Sequence, residues 1–178
     1  MLPALYAVCL LSSCGNQSVK FTLPKDYEPI TTDAADYSAL QGVTYQTNAD
    51  GSFAYEVDSK TQKALLEAVR QDYENTRQEW LKSEYMPNLT DIVANDDFTH
   101  ITVKTSLESE KLSAEGTLHI SLYMFCELYS VFSGKESFDY VIETVNESGK
   151  VLKKVTSGDI QRMKEKLEAL ENRKSTTT

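Results

Sequence analysis

Apolar and polar positions alternate over short stretches and then change period, and these changes divide the chain into elements. "VTYQT" and "FAYEV" alternate around "NADGS", where Asp50-Gly51 suits a backbone with positive φ; the pattern predicts a hairpin. Leu65, Val69, Tyr73, Thr76 and Trp80 then recur at helical spacing. Ser59 and Gln62 fit a capping box at the start of that helix, and Pro87 sets its limit, with the end expected near Ser83–Glu84. In "LTDIVANDDFTHITVKTSL", Ile92 and Ala94 precede the turn-forming Asn95-Asp96-Asp97. Ile101, Val103 and Thr105 then alternate with His100, Thr102 and Lys104, which predicts a second hairpin. "TLHISLYMFCELYSVF" reads either as a strand, alternating through Ile120, Leu122, Met124 and Cys126, or as a helix with Leu118, Leu122, Phe125, Tyr129 and Phe132 on one side. Its length favours the helix, with Gly134 as the stop. "FDYVIETVNESGKVLKKVT" predicts a third hairpin turning at Ser148-Gly149. Ile160, Met163, Leu167 and Leu170 mark a last amphipathic helix, too short for a coiled coil. Its stripe is expected to pack on the domain, the alternative being a partner helix.

Strands and helices in this order predict an α+β fold: a largely antiparallel sheet built from hairpins, with helices packed on one face. The single domain is expected over residues 43–172. Residues 15–42 show no sustained period and contain Pro24 and Pro29. Residues 14–42 therefore read as a flexible spacer, which as a coil would hold the domain about 30 Å from its attachment point. Residues 173–178 read as a disordered tail.

The N-terminus carries the most specific signal. "MLPALYAVCLL" is apolar but too short to span a bilayer, and it gives way to small polar residues as a signal-peptide core does. Leu11-Ser12-Ser13-Cys14 matches a lipobox, with cleavage between Ser13 and Cys14 and a diacylglycerol accepted by the Cys14 thiol; residues 1–13 would be the signal peptide. A secretory leader normally opens on positive charge, and none precedes Lys20. The two readings of this are a natural start upstream of Met1 and a weakly exported leader. With Cys9 removed and Cys14 acylated, Cys126 would be the one remaining thiol, which excludes an intrachain disulfide.

Charge and motif content narrow the functions. The formal net charge of −9 disfavours nucleic acid, and no basic cluster is dense enough for adsorption to anionic lipid. The sequence lacks Walker A, GxGxxG, GxSxG and HExxH motifs. His100 and His119 have no metal spacing, and Cys126 in an apolar helix reads as packing. Asp91, Asp96 and Asp97 could offer oxygen ligands to calcium but lack a terminal Glu; turn formation explains Asn95-Asp96. Glu108 and Glu110 are one carboxylate pair among many. Tyr27, Tyr37, Tyr45 and Tyr55 could form a platform for glycan or peptide, or pack across strands. No cofactor or metal is expected.

"ANDDFTHITVKT", then "LYMFCELYSVFSG" and "DYVIETVNESGKV", resembles a group of small uncharacterised lipoproteins of Gram-positive bacteria, over roughly residues 50–156. The resemblance implies an extracytoplasmic, membrane-anchored domain and carries no site residues. The expected protein is thus a surface lipoprotein held to the cell membrane through Cys14, whose domain binds an envelope protein or glycan. The alternatives are a small extracytoplasmic hydrolase acting on envelope polymers and a structural subunit of an envelope complex.

Overall fold

A computed structural model describes residues 18–27, 35–109, 118–135 and 139–175. Its strands are β1 (Ser18–Leu23), β2 (Tyr45–Thr47), β3 (Phe53–Asp58), β4 (Leu89–Ala94), β5 (His100–Thr105), β6 (Val141–Asn146) and β7 (Val151–Thr156). The helices are α1 (Ser59–Leu81), α2 (Leu118–Phe132) and α3 (Ser157–Ser175), with 3-10 turns at Lys25–Tyr27 and Ala35–Leu40.

The fold is α+β, but its strands form two sheets rather than one. The smaller is antiparallel with order β1-β3-β2; the larger has order β4-β5-β6-β7. All three expected hairpins are present. In the larger sheet, however, the two hairpins meet through their inner strands, β5 and β6, which run parallel from His100↔Val141 to Thr105↔Asn146. A parallel pair needs a long crossover, and α2 lies on that crossover.

Residues 14–42 are not a spacer throughout. β1 pairs with β3 from Ser18↔Asp58 to Leu23↔Phe53, and Phe21 and Leu23 point into the core while Lys20 and Thr22 point out. Tyr27, Tyr37 and Leu40 are buried as well. Burying side chains of this size stabilises by about 1.5–3 kcal/mol each, enough to order a segment that a coil description leaves free. Cys9, Ser13 and Cys14 lie outside the described residues. At the other end α3 runs to Ser175, three residues into the expected tail, and residues 176–178 lie outside the described ones.

Local chemistry sets the helix ends. Asp58, not Ser59, caps α1: its side chain accepts from the Thr61 amide at 2.7 Å. α2 ends at Phe132, and Gly134 just beyond it, with φ +72°, takes the left-handed conformation of a helix stop; the Lys135 amide bonds back to the Ser130 carbonyl at 3.3 Å. In α3, Ile160 is buried, Met163 is exposed, and the Leu167 and Leu170 side chains lie outside the description.

A single core joins the two sheets. α1 packs on the 3-10 turn at Ala35–Leu40, on α2 and on β4, and α2 reaches both β1 and β6. Phe132, fully buried, meets Phe21 edge-on at 5.3 Å and Tyr37 at 5.9 Å. α2 is apolar nearly all round, as a helix packed on several sides must be. Among the described residues no helix is long and apolar enough to cross a membrane.

Candidate binding cleft

The inner face of the small sheet does not pack flush on α2 along its whole width. Strand register places Phe21, Tyr55 and Tyr45 side by side across β1, β3 and β2. Phe21 stacks on Tyr55 at 5.4 Å, and Tyr45 follows at 5.4 Å from Tyr55, so the rings form a ladder running from the core to solvent. Its outer member, Tyr45, is 45% exposed. A cleft of about 990 Å³ opens over this ladder. Its opposite wall comes from Glu127 and Val131, one turn apart on α2, and from Gly134 and Lys135 beyond the helix end. Thr44 adds a hydroxyl group to the lining; Thr22 and Gln46 also line the cleft, but strand alternation turns their side chains to the face of the sheet opposite the rings.

Glu127 is the unusual residue, a carboxyl group 6% exposed inside an apolar helix. Such a group needs partners, and it has two. The Tyr27 hydroxyl donates to Oε2 at 2.5 Å, and Lys164 of α3 approaches both oxygens at 3.3 Å. Burial, followed by the charge of Glu127 and the hydrogen bond to it, drives the Tyr27 phenol far above its ordinary pKa. Tyr27 is therefore a fixed donor, not an acid-base group. Lys164 also lies 5.1 Å from the centre of the Tyr123 ring, so its ammonium is held from two sides. At the edge of the cleft, Lys20 pairs with Glu56 at 3.4 Å and Lys135 faces Asp97 at 4.0 Å.

The other sequence candidates disperse. Of the four tyrosines, Tyr45 and Tyr55 pack across β2 and β3, with Phe21 beside Tyr55, and Tyr45 is the one that is exposed. Tyr27 serves Glu127 instead, and Tyr37 is buried near α1, with its hydroxyl 3.4 Å from Asp72. His100 lies 3.7 Å from Glu143, and His119 is buried against Thr144 at 3.1 Å on the larger sheet; the two serve separate local contacts. Cys126 is buried, and burial pushes its thiol up to about 12. That removes the thiolate that catalysis would need.

Asp91 binds the Arg77 guanidinium at 2.6 Å and Lys104 at 3.4 Å. Asp97 closes the β4–β5 turn onto Thr99, at 2.7 Å from its hydroxyl. These carboxylates are occupied by protein partners, and among the described residues no group of three His, Cys, Asp or Glu is placed to hold a metal ion. Glu108 accepts from Asn146 at 3.3 Å, and Glu110 lies outside the described residues. A second cavity, of about 90 Å³, sits beside the β4–β5 turn; the buried Ser130 hydroxyl, unpaired among the described residues, lines it. Its size suits ordered water.

Sequence reasoning missed Glu127, Lys164 and the cleft itself. The available signal was one acid inside "MFCELYSVF", the most apolar run of the domain. A charge there must be paired in the folded state, which marks it for attention. No protein-family model matches the chain, and neither does any curated protein or solved structure. A functional reading therefore rests on the residues themselves.

Proposed function

We propose that the chain is a surface lipoprotein, cleaved between Ser13 and Cys14, diacylated at Cys14, and exposed on the extracytoplasmic face of the cell membrane. Its folded part acts there as a binding module, with the cleft over the Phe21–Tyr55–Tyr45 ladder as the site. The lipobox Leu11-Ser12-Ser13-Cys14 behind an apolar leader carries the anchoring. Two acyl chains, at ~0.8 kcal/mol per buried methylene, hold a protein to a bilayer durably.

The start of β1 at Ser18 changes what the anchor does. Only Gly15, Asn16 and Gln17 stand between Cys14 and the first strand. At no more than about 3.6 Å per residue, they keep the start of the sheet within about 15 Å of the lipidated residue. The cleft, which begins at Lys20, then lies near the headgroups instead of on a long tether.

Binding is favoured over hydrolysis by the surroundings of Glu127. A catalytic acid must have a proton to give, whereas the Tyr27 hydroxyl and the Lys164 ammonium both approach this carboxyl as donors, an arrangement that suits an acceptor. The test is metabolic labelling with palmitate of the native chain and of Cys14→Ala, each also with an N-terminally extended start. Label that disappears with Cys14 is expected. Label in neither protein from either start, or equal label in both, overturns the anchor.

A further inference from the structure

Granted the binding reading, we infer that the cleft takes a neutral oligosaccharide, with one sugar ring stacked on the Tyr45–Tyr55 end of the ladder and a ring hydroxyl donated to Glu127. Three features of the lining lead to this chemistry. The first is the Tyr45 ring, 45% exposed and tilted by 41° against Tyr55 at 5.4 Å; it offers an apolar surface at the end of the ladder for the C–H face of a pyranose. The second is acceptor capacity. A carboxylate has about four lone-pair sites, and among the described residues Glu127 spends three contacts on Tyr27 and Lys164, leaving room for one further donor. Hydroxyls are such donors, and the Thr44 hydroxyl, also in the lining, can both give and accept.

The third feature is charge. Lys20 and Lys135 face Glu56 and Asp97, so the cations near the cleft already have anionic neighbours, and the chain carries a formal charge of −9. A polyanion would meet net repulsion, and a neutral ligand would not. An extended peptide is the rival occupant, and it would add to the open edge of the small sheet at β2. That strand has only three residues, which limits the main-chain bonds a peptide could gain there. The other edge strand, β1, is approached by the turn after α2, where the position of a Gly134 Cβ lies 2.9 Å from Val19.

The experiment is calorimetric titration of the purified full-length protein with maltohexaose, chitohexaose and an uncharged Ala/Ser hexapeptide, with amide chemical shifts as a map. At least one hexaose is expected to bind, shifting Tyr45, Tyr55 and Val131 while leaving unmoved Trp80 of α1 and Met124 of α2, which line a different, smaller pocket. Tyr45→Ala should weaken that binding about tenfold, since the ring is lost from a site that needs no refolding. Glu127→Gln, which keeps shape but not charge, should weaken it by a similar factor, about tenfold. Tyr45 is exposed, so its variant remains a fair test if Glu127→Gln proves unstable. No binding of either hexaose overturns the inference, as does stronger binding of the peptide at the same residues. Palmitate labelling is read separately: loss of sugar binding with the label intact removes only this inference, and sugar binding without label removes only the anchor.

Discussion

Gly134→Ala probes the seating of β1 against the end of α2 through a single methyl group. The substitution carries two costs. The residue has φ +72°, and an L side chain in left-handed backbone loses about 1–2 kcal/mol. The new Cβ would also stand 2.9 Å from Cγ1 of Val19 and 3.5 Å from the Lys20 carbonyl. Val19 is β-branched and stiff, so relieving the clash moves the strand or forces a poor rotamer, at about 1–3 kcal/mol. Gly149→Ala isolates the first cost, because its φ is +79° and nothing lies within 4 Å of the added methyl. Urea unfolding followed by circular dichroism should therefore show Gly134→Ala losing about 2–5 kcal/mol and Gly149→Ala about 1–2 kcal/mol. Val19→Ala removes the clashing methyl. In that background the excess cost of Gly134→Ala should vanish, a coupling that Gly149→Ala should not show. Equal losses at the two glycines, with no coupling to Val19, would refute the placement of β1.

Other positions test other parts of the structure. With Cys9 and Cys14 replaced by Ser, Cys126 is the sole thiol; its pKa of about 12 and its burial predict no reaction with a disulfide reagent at pH 8 until denaturant is added. Rapid labelling of the native chain would contradict its placement in α2. Asp58→Ala should lower the urea midpoint more than Ser59→Ala, because Asp58 holds the Thr61 amide; the reverse ranking would restore the capping box. For Asp91, burial raises the carboxyl pKa, but the Arg77 guanidinium and the Ile92 amide outweigh it and hold the group below its ordinary value. The stabilisation is thus present above the ordinary carboxylate pKa and is lost as pH falls through the depressed one. Arg77→Ala should cost about 1–2 kcal/mol at pH 7, measured by urea unfolding, and progressively less below about pH 4. A penalty that grows on acidification would contradict the pairing.

Which parts of this structure could be read from sequence depended on how local their causes are. The hairpins at Asp50-Gly51 and Ser148-Gly149 were legible because positive φ at Gly51 and Gly149 is a local demand, met by residue type. α1 and α2 were legible from length and period. β1 was not, although Phe21 and Leu23 alternate with Lys20 and Thr22, because its partner β3 lies beyond two prolines and a hairpin turn. Its period is short, and only tertiary burial makes it a strand.

The parallel union of β5 and β6 was hidden for a related reason. Ile101 and Val103 alternate in the same way whichever strand lies beside them, so the pattern gives the faces of a strand but not its second neighbour. The cleft is less local still. Tyr45 and Tyr55 stood among the candidates, but their alignment with Phe21 depends on the register of three strands, and the partners of Glu127 come from the turn at Lys25–Tyr27 and from α3. By contrast, Cys126 and the turn at Asn95-Asp96-Asp97 behaved as their residue types suggest: Cys126 packs in the core, and Asp97 closes a hairpin turn.

Hydrogen exchange, read at the amides of residues 18–23, tests most directly whether the folded module begins at β1, close behind the proposed anchor at Cys14. If it does, the β1 amides that bond to β3 exchange as slowly as those of β3 itself, since the two strands open together. Exchange of residues 18–23 at the rate of an unstructured chain would contradict the account, returning the segment to a tether and moving the cleft away from the proposed anchor.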